Sequence, residues 1–265
     1  MPTIDANGCE LHYETRGEGE PLLVLHGGMG VGADWLRIFP ESPKGFQLIV
    51  PDLRGHGRST NPSRQFTFRQ FALDTYALLD RLDVARAKAI GVSAGAKTLL
   101  HMATQQPDRI DAMVIASATP RFPPQVRPIM AGMSADGLSD IEWAALRTRH
   151  VHGDDQIRLL YEMVRGFATS HDDMAFTAPT LATIAARTLI VHGDRDPLYP
   201  VEMALELYRG IRNSALWVIP YGDHGSVWAD RASEFATVSL AHVGARGQRQ
   251  SQVASRKSVR SPLVP

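Results

Sequence analysis

Short apolar runs alternate with longer amphipathic stretches along most of the chain, the pattern of strands and helices taking turns in a mainly parallel α/β sheet. Residues 21–25 and 46–50 are apolar runs closed by glycine or proline, and each predicts a buried strand. Residues 11–15 alternate, as an exposed antiparallel strand does. Over residues 66–82, Phe68, Phe71, Ala72, Thr75, Leu78, Leu79 and Leu82 fall near helical spacing and predict an amphipathic helix. Residues 87–92 predict a strand and 94–105 the helix that follows it. Strands at 112–116, 187–191 and 215–219 and a last helix from about 230 to 243 complete the series.

The stretch between residues 116 and 187 breaks this rhythm. It opens on Pro120, Pro123, Pro124 and Pro128 and then turns helical without an evident strand, far too long for a plain crossover. The reading is therefore a core made of residues 1–120 and 181–245, with residues 121–180 inserted as a helical lid. Met130, Met133, Met163 and Met174 fall in that insertion with Trp143, Tyr161, Phe167 and Phe176. These residues predict the inner face of a small bundle and an adaptable apolar wall for a ligand.

Composition adds mainly exclusions. The 265 residues are 44% hydrophobic and 21% charged, which sets aside collagen, coiled coil and wholesale disorder. A chain of this length can bury roughly three-quarters of its unfolded surface, so its core needs no disulfide or structural metal. Cys9, the one cysteine, permits neither a disulfide framework nor a thiolate zinc cage. The start, Met1-Pro2-Thr3-Ile4-Asp5, lacks a signal-peptide pattern, and no apolar run is long enough to span a bilayer, so a cytoplasmic protein is expected. The formal charge of zero hides an asymmetry: Arg246, Arg249, Arg256, Lys257 and Arg260 stand in a tail with no acidic residue after Glu234. That tail, residues 246–265, has no aromatic residue to stack on bases and reads as a solvated, disordered extension. No nucleic acid is expected as a partner.

Candidate chemistry concentrates at strand ends. Gly91-Val92-Ser93-Ala94-Gly95 matches G-x-S-x-G between a strand and a helix, where a sharp turn exposes the serine hydroxyl and flanking glycines let backbone approach. A serine needs a base, and the base an orienting carboxylate. His192-Gly193-Asp194-Arg195-Asp196-Pro197 and Tyr221-Gly222-Asp223-His224-Gly225 both follow predicted strands, at the sheet edge where open α/β folds build their sites. Asp196 is the expected acid, because Asp194 is better placed to cap its own turn and Asp223 adjoins His224.

His26-Gly27-Gly28-Met29-Gly30 and Asp52-Leu53-Arg54-Gly55-His56-Gly57-Arg58-Ser59 precede the serine motif. With these motifs in this order, the chain resembles the α/β-hydrolases of the serine esterase and lactonase type over about residues 8–243. The resemblance implies a Ser93–His224–Asp196 triad. It also implies an oxyanion hole from the backbone N–H groups of Ala94 and Gly28, with Met29 as the alternative donor. It implies a small-molecule ester or lactone substrate and no cofactor or metal.

Ester hydrolysis is the leading expectation, lactone or enol-lactone hydrolysis the alternative, and a catalytically silent receptor the reading from a different class. Gly225 stands where carbon–carbon hydrolases of this superfamily usually carry tryptophan, which counts against that activity. His26, His56 and His192 are expected to tie loops. The string His150-Val151-His152-Gly153-Asp154-Asp155 is close to a dinuclear metal motif but lacks its last histidine, and reads as a polar turn between helices.

Overall fold

In the computed structural model, which describes residues 2–245, strand propensity and burial combine into one eight-stranded sheet. Its strands are β1 (Thr3–Asp5), β2 (Glu10–Arg16), β3 (Glu20–Leu25), β4 (Phe46–Pro51), β5 (Ala87–Val92), β6 (Ile110–Ala116), β7 (Arg187–Gly193) and β8 (Ser214–Ile219). The order across the sheet is β1-β2-β4-β3-β5-β6-β7-β8. β1 pairs antiparallel with β2 and β2 with β4, and every later pairing is parallel. The basic tail lies outside the described residues.

Period-two alternation sends neighbouring side chains into two different cores. Leu23, Leu25 and Ile49 pack on the face covered by α1 (Phe68–Arg81), α2 (Ala94–Gln105) and α7 (Val201–Gly210). Leu22, Val24, Leu48 and Val50 pack on the opposite face, against a 3-10 turn at Gly32–Arg37 and α8 (Ala232–Gly244). Because both faces are covered, the central strands read as continuous apolar runs. β2 departs from the expected exposed strand: Leu11 and His12 are buried, since β1 shields its far edge.

The predicted helix at 66–82 forms as α1, two residues shorter at its start. Thr67 ends it there by accepting the Gln70 N–H. Asp173, from the insertion, accepts the Phe68 and Arg69 N–H groups at 2.7 and 3.2 Å and so caps the same helix from a distance. Arg54 and Asp74 form a buried two-pronged ion pair that fixes the loop after β4 to α1.

The insertion between β6 and β7 contains α3 (Val126–Ala131), α4 (Asp140–Arg149), α5 (Asp154–Gly166) and α6 (Ala178–Leu181). Arg127 ties α3 to the carbonyls of Ala168 and Ser170 after α5. Buried Gln156 donates to the carbonyls of Gly55 and Gly57, fastening α5 to the core. Among the described residues no helix is long and apolar enough to cross a membrane.

Candidate active site

Ser93 is held where β5 turns sharply into α2, with φ 50° and ψ −105°. Such a backbone is costly for a residue bearing a Cβ and survives only when its surroundings enforce it. They do so on both sides: the Ser93 N–H donates to Ala116 O at 2.8 Å, and Ser93 O accepts the Lys97 N–H at 3.0 Å. The flanking glycines are sterically required. A Cβ on Gly91 would lie 2.6 Å from Gly95 C, and one on Gly95 would lie 2.2 Å from Leu25 O.

The predicted partners converge on this turn from the ends of two later strands. Asp196 follows β7 and His224 follows β8. Ser93 Oγ–H donates to His224 Nε2 at 2.9 Å, and His224 Nδ1–H donates to Asp196 Oδ2 at 2.7 Å. The other carboxylate oxygen of Asp196 accepts the N–H groups of Leu198 and Tyr199 at 2.8 and 3.1 Å. Burial alone raises the Asp196 pKa, but the His224 contact and these N–H donors outweigh it and hold the carboxyl below its ordinary value. Asp196 is therefore a buried anion with all its partners in place.

Backbone packing sets the distance between the two loops. Gly193 sits so close to the His224 loop that an added Cβ would lie 2.3 Å from Gly222 O. Arg195 N–H donates to Gly222 O at 2.8 Å, and Ser117 Oγ donates to the His224 carbonyl at 2.8 Å. Asp223 accepts the Gly225 N–H within its own loop, whereas Asp194, expected to cap its own turn, reaches across to accept the Gly222 N–H of the His224 loop.

Gly28 and Ala94 face each other across the cleft, since a Cβ on Gly28 would stand 4.0 Å from that of Ala94. Among the described residues, the N–H groups of Gly28, Met29 and Ala94 find no protein acceptor. Met29 has φ 60°, and His26 shapes its loop by donating from Nδ1 to Gly27 O and accepting the Leu53 N–H at Nε2. His150 supports the same loop from the insertion, accepting the Gly57 N–H at 3.0 Å and donating to Met29 O at 3.3 Å. His152 Nε2 pairs with Arg58 O, and the string from His150 to Asp155 joins α4 to α5. His192 donates to Tyr199 O and steadies the acid loop.

A cavity of about 300 Å³ opens on Ser93 and His224. Val126, Ile129, Met130, Met133, Val164 and Phe167 of the insertion form one wall. Trp143 and Met163 are not part of that wall: the Trp143 ring packs between Arg147 and Arg158, and Met163 is buried in the core cluster that also holds Met130 and Phe167.

Phe68, Tyr199 and Lys97 are among the lining residues that the sequence reading did not assign to the site. Lys97 did leave a signal, a lone cation in the otherwise small and apolar run that follows the serine.

A model of the alpha/beta hydrolase fold matches residues 20–160. The chain belongs to this family. Serine hydrolase BPHL of Mus musculus is 30% identical over 83% of this chain and 79% of its own. 2-Hydroxymuconate semialdehyde hydrolase of Pseudomonas sp. strain CF600 is 27% identical over 89% of this chain and 90% of its own. Among solved structures, Est816, described as an N-acyl homoserine lactone degrading enzyme, is 27% identical with a TM-score of 0.73, covering 91% of this chain and all of that one. Two of these three are named as hydrolases and the third as a lactone-degrading enzyme.

Proposed function

We infer that this protein hydrolyses carboxylic esters of small to medium acyl groups through an acyl-enzyme on Ser93. The observation that carries this reading is the unbroken hydrogen-bond series Ser93 Oγ–His224–Asp196 at the mouth of an apolar cavity. In the first half-reaction His224 Nε2 takes the serine proton as Oγ bonds to the ester carbonyl carbon. Asp196 holds the imidazole in the tautomer this needs and stabilises the imidazolium. The negative charge on the former carbonyl oxygen falls to the N–H groups of Ala94 and Gly28, where one such donor is worth roughly 3 kcal/mol. The carbon–oxygen bond to the alcohol then breaks, and the alkoxide leaves with the proton from His224. Water, deprotonated by the same histidine, attacks the acyl-enzyme and restores Ser93.

Lactone hydrolysis is the second reading, favoured by the likeness to Est816. Its chemistry is identical except that the alcohol stays tethered to the acyl group. The likeness to 2-hydroxymuconate semialdehyde hydrolase adds a substrate of that class to the test, although Gly225 counts against carbon–carbon cleavage. A panel of p-nitrophenyl esters, lactones and a vinylogous dienoate, scored by kcat/KM, separates the three. A burst of p-nitrophenol on acylation is the expected result for the first reading. Tight binding without any turnover would instead make the protein a receptor built on a hydrolase fold.

A further inference from the structure

Among the described residues that line the cavity, Lys97 alone is a lysine, arginine or carboxylate, and the ester mechanism leaves it unused. Its side chain is buried, with the residue 4% exposed, yet it lines the same cavity as Ser93 and His224. Nζ donates to the Tyr199 hydroxyl at 2.9 Å, and among the described residues no carboxylate pairs with it. The rings of Phe68, Phe122 and Tyr199 surround it, with centroids 5.0, 5.6 and 5.0 Å from Nζ. Such a cage stabilises a cation through the ring faces but offers no acceptor beyond the phenol oxygen. An ammonium group has three donors, so at least one remains for a ligand.

Burying a cation without an anionic partner is costly, and here burial pulls the Lys97 pKa down to about 7 against the weaker attraction of Asp196 and Asp173. Both of those carboxylates are already committed, Asp196 to His224 and Asp173 to the start of α1. A ligand carboxylate reaching Nζ would restore the charged form and form a charge-assisted hydrogen bond in a site shielded from water. A wholly apolar acyl chain would leave the amine facing hydrocarbon.

We propose that Lys97 selects the acyl group, its Nζ receiving a carboxylate at the end of the chain remote from the scissile carbonyl, so that the preferred esters are half-esters of short dicarboxylic acids. The chain must be short because Lys97, Ser93 and His224 share one cavity of about 300 Å³, and the Tyr199 ring whose hydroxyl holds Nζ lies 5.3 Å from the His224 ring. Tyr199 completes the site by orienting Nζ, and its own N–H holds Asp196. The proposal rests on the reading of Ser93 as the nucleophile of an ester hydrolase.

The test compares mono-p-nitrophenyl glutarate with p-nitrophenyl pentanoate, a neutral ester of matched length. In Lys97→Met the kcat/KM ratio of the glutarate to the pentanoate ester is expected to fall roughly tenfold or more, the usual scale for a hydrogen bond to a charged group. Lys97→Gln, which keeps donors without charge, should fall between and carries the comparison alone if Lys97→Met does not fold. An unchanged ratio overturns the proposal and leaves Lys97 as filler of an aromatic cluster. Calorimetry of free glutarate provides the second arm. Binding to Ser93→Ala with proton uptake above neutral pH, weakened roughly tenfold or more by adding Lys97→Met, supports the site. Equal binding by the two overturns it. Because this arm needs no turnover, a protein that binds glutarate through Lys97 but cleaves no ester would refute the esterase reading alone.

Discussion

His224 Nδ1 stands 2.7 Å from Asp196 Oδ2, while the two neighbouring aspartates, Asp194 and Asp223, spend their carboxylates on the N–H groups of Gly222 and Gly225. Asp196→Asn is therefore expected to lower turnover on the order of 10⁴-fold by favouring the wrong imidazole tautomer. The same change at Asp194 or Asp223 should act chiefly on loop stability. Steady-state kinetics of the three folded variants check this, and an equal loss at Asp194 or Asp223 would reassign the acid.

Ser93→Ala should cost four or more powers of ten in turnover, leaving the contribution of binding and the oxyanion donors. A serine-directed phosphonate is expected to add its mass to the peptide bearing Ser93. Activity that is lost to chelators and restored by zinc would contradict this chemistry.

Chain-length preference is expected to move with the insertion residues that line the cavity. Met130→Ala or Phe167→Ala should extend tolerance toward longer or bulkier acyl groups by opening the wall. Trp143→Ala, on a ring sandwiched between Arg147 and Arg158, should leave the preference where it was. The measurement is relative kcat/KM over a homologous ester series. A uniform loss on every substrate would make the wall a support and not a selector.

Acid should destabilise the fold from about pH 6.5 downward, before the carboxylates respond. His26, His56 and His150 are buried close together, and burial lowers all three pKa values, that of His150 to about 4. Unfolded chains take up these protons near pH 6.5 while the folded protein does not, so stability falls as pH falls through that window. For His150 the loss runs from about 6.5 to about 4 and amounts to roughly 3 kcal/mol, complete below the lower value. Asp196, held below its ordinary value, adds a loss only in stronger acid. Thermal melts across pH should show the slope, and His150→Gln should flatten part of it.

Gly95→Ala should destabilise by at least the 1–3 kcal/mol typical of overpacking, about the upper end or beyond, because its Cβ would meet the Leu25 carbonyl at 2.2 Å. Only backbone movement between β3 and α2 can relieve that contact, and the same movement displaces Ser93. Chemical denaturation would reveal the cost, and a variant as stable as the parent would refute the packing argument.

Much of the architecture was legible in the residue pattern alone. β5 at Ala87–Val92 and α2 at Ala94–Gln105 match the expected bounds, because a continuous apolar run and a helical repeat meet at a glycine-flanked serine. The meeting of Asp196 and His224 with Ser93 was legible too, since each follows a strand that could itself be read and the carboxyl ends of such strands share one edge of the sheet. The short β1 and the helix α7 were not, because three residues carry no period and α7 follows a proline-punctuated loop. What tertiary structure alone decided is which side chains meet across the insertion. Helical periodicity says that Trp143, Met163 and Phe167 each need a neighbour, but not which neighbour. Docking of α3 and α5 on the core sends Phe167 to the cavity, Met163 into the core beside it and Trp143 between two arginines. Lys97 obeys the same limit. Its sequence neighbours place it one turn from Ser93, while the rings of Phe68, Phe122 and Tyr199, drawn from α1 and two distant loops, make its surroundings aromatic and dry.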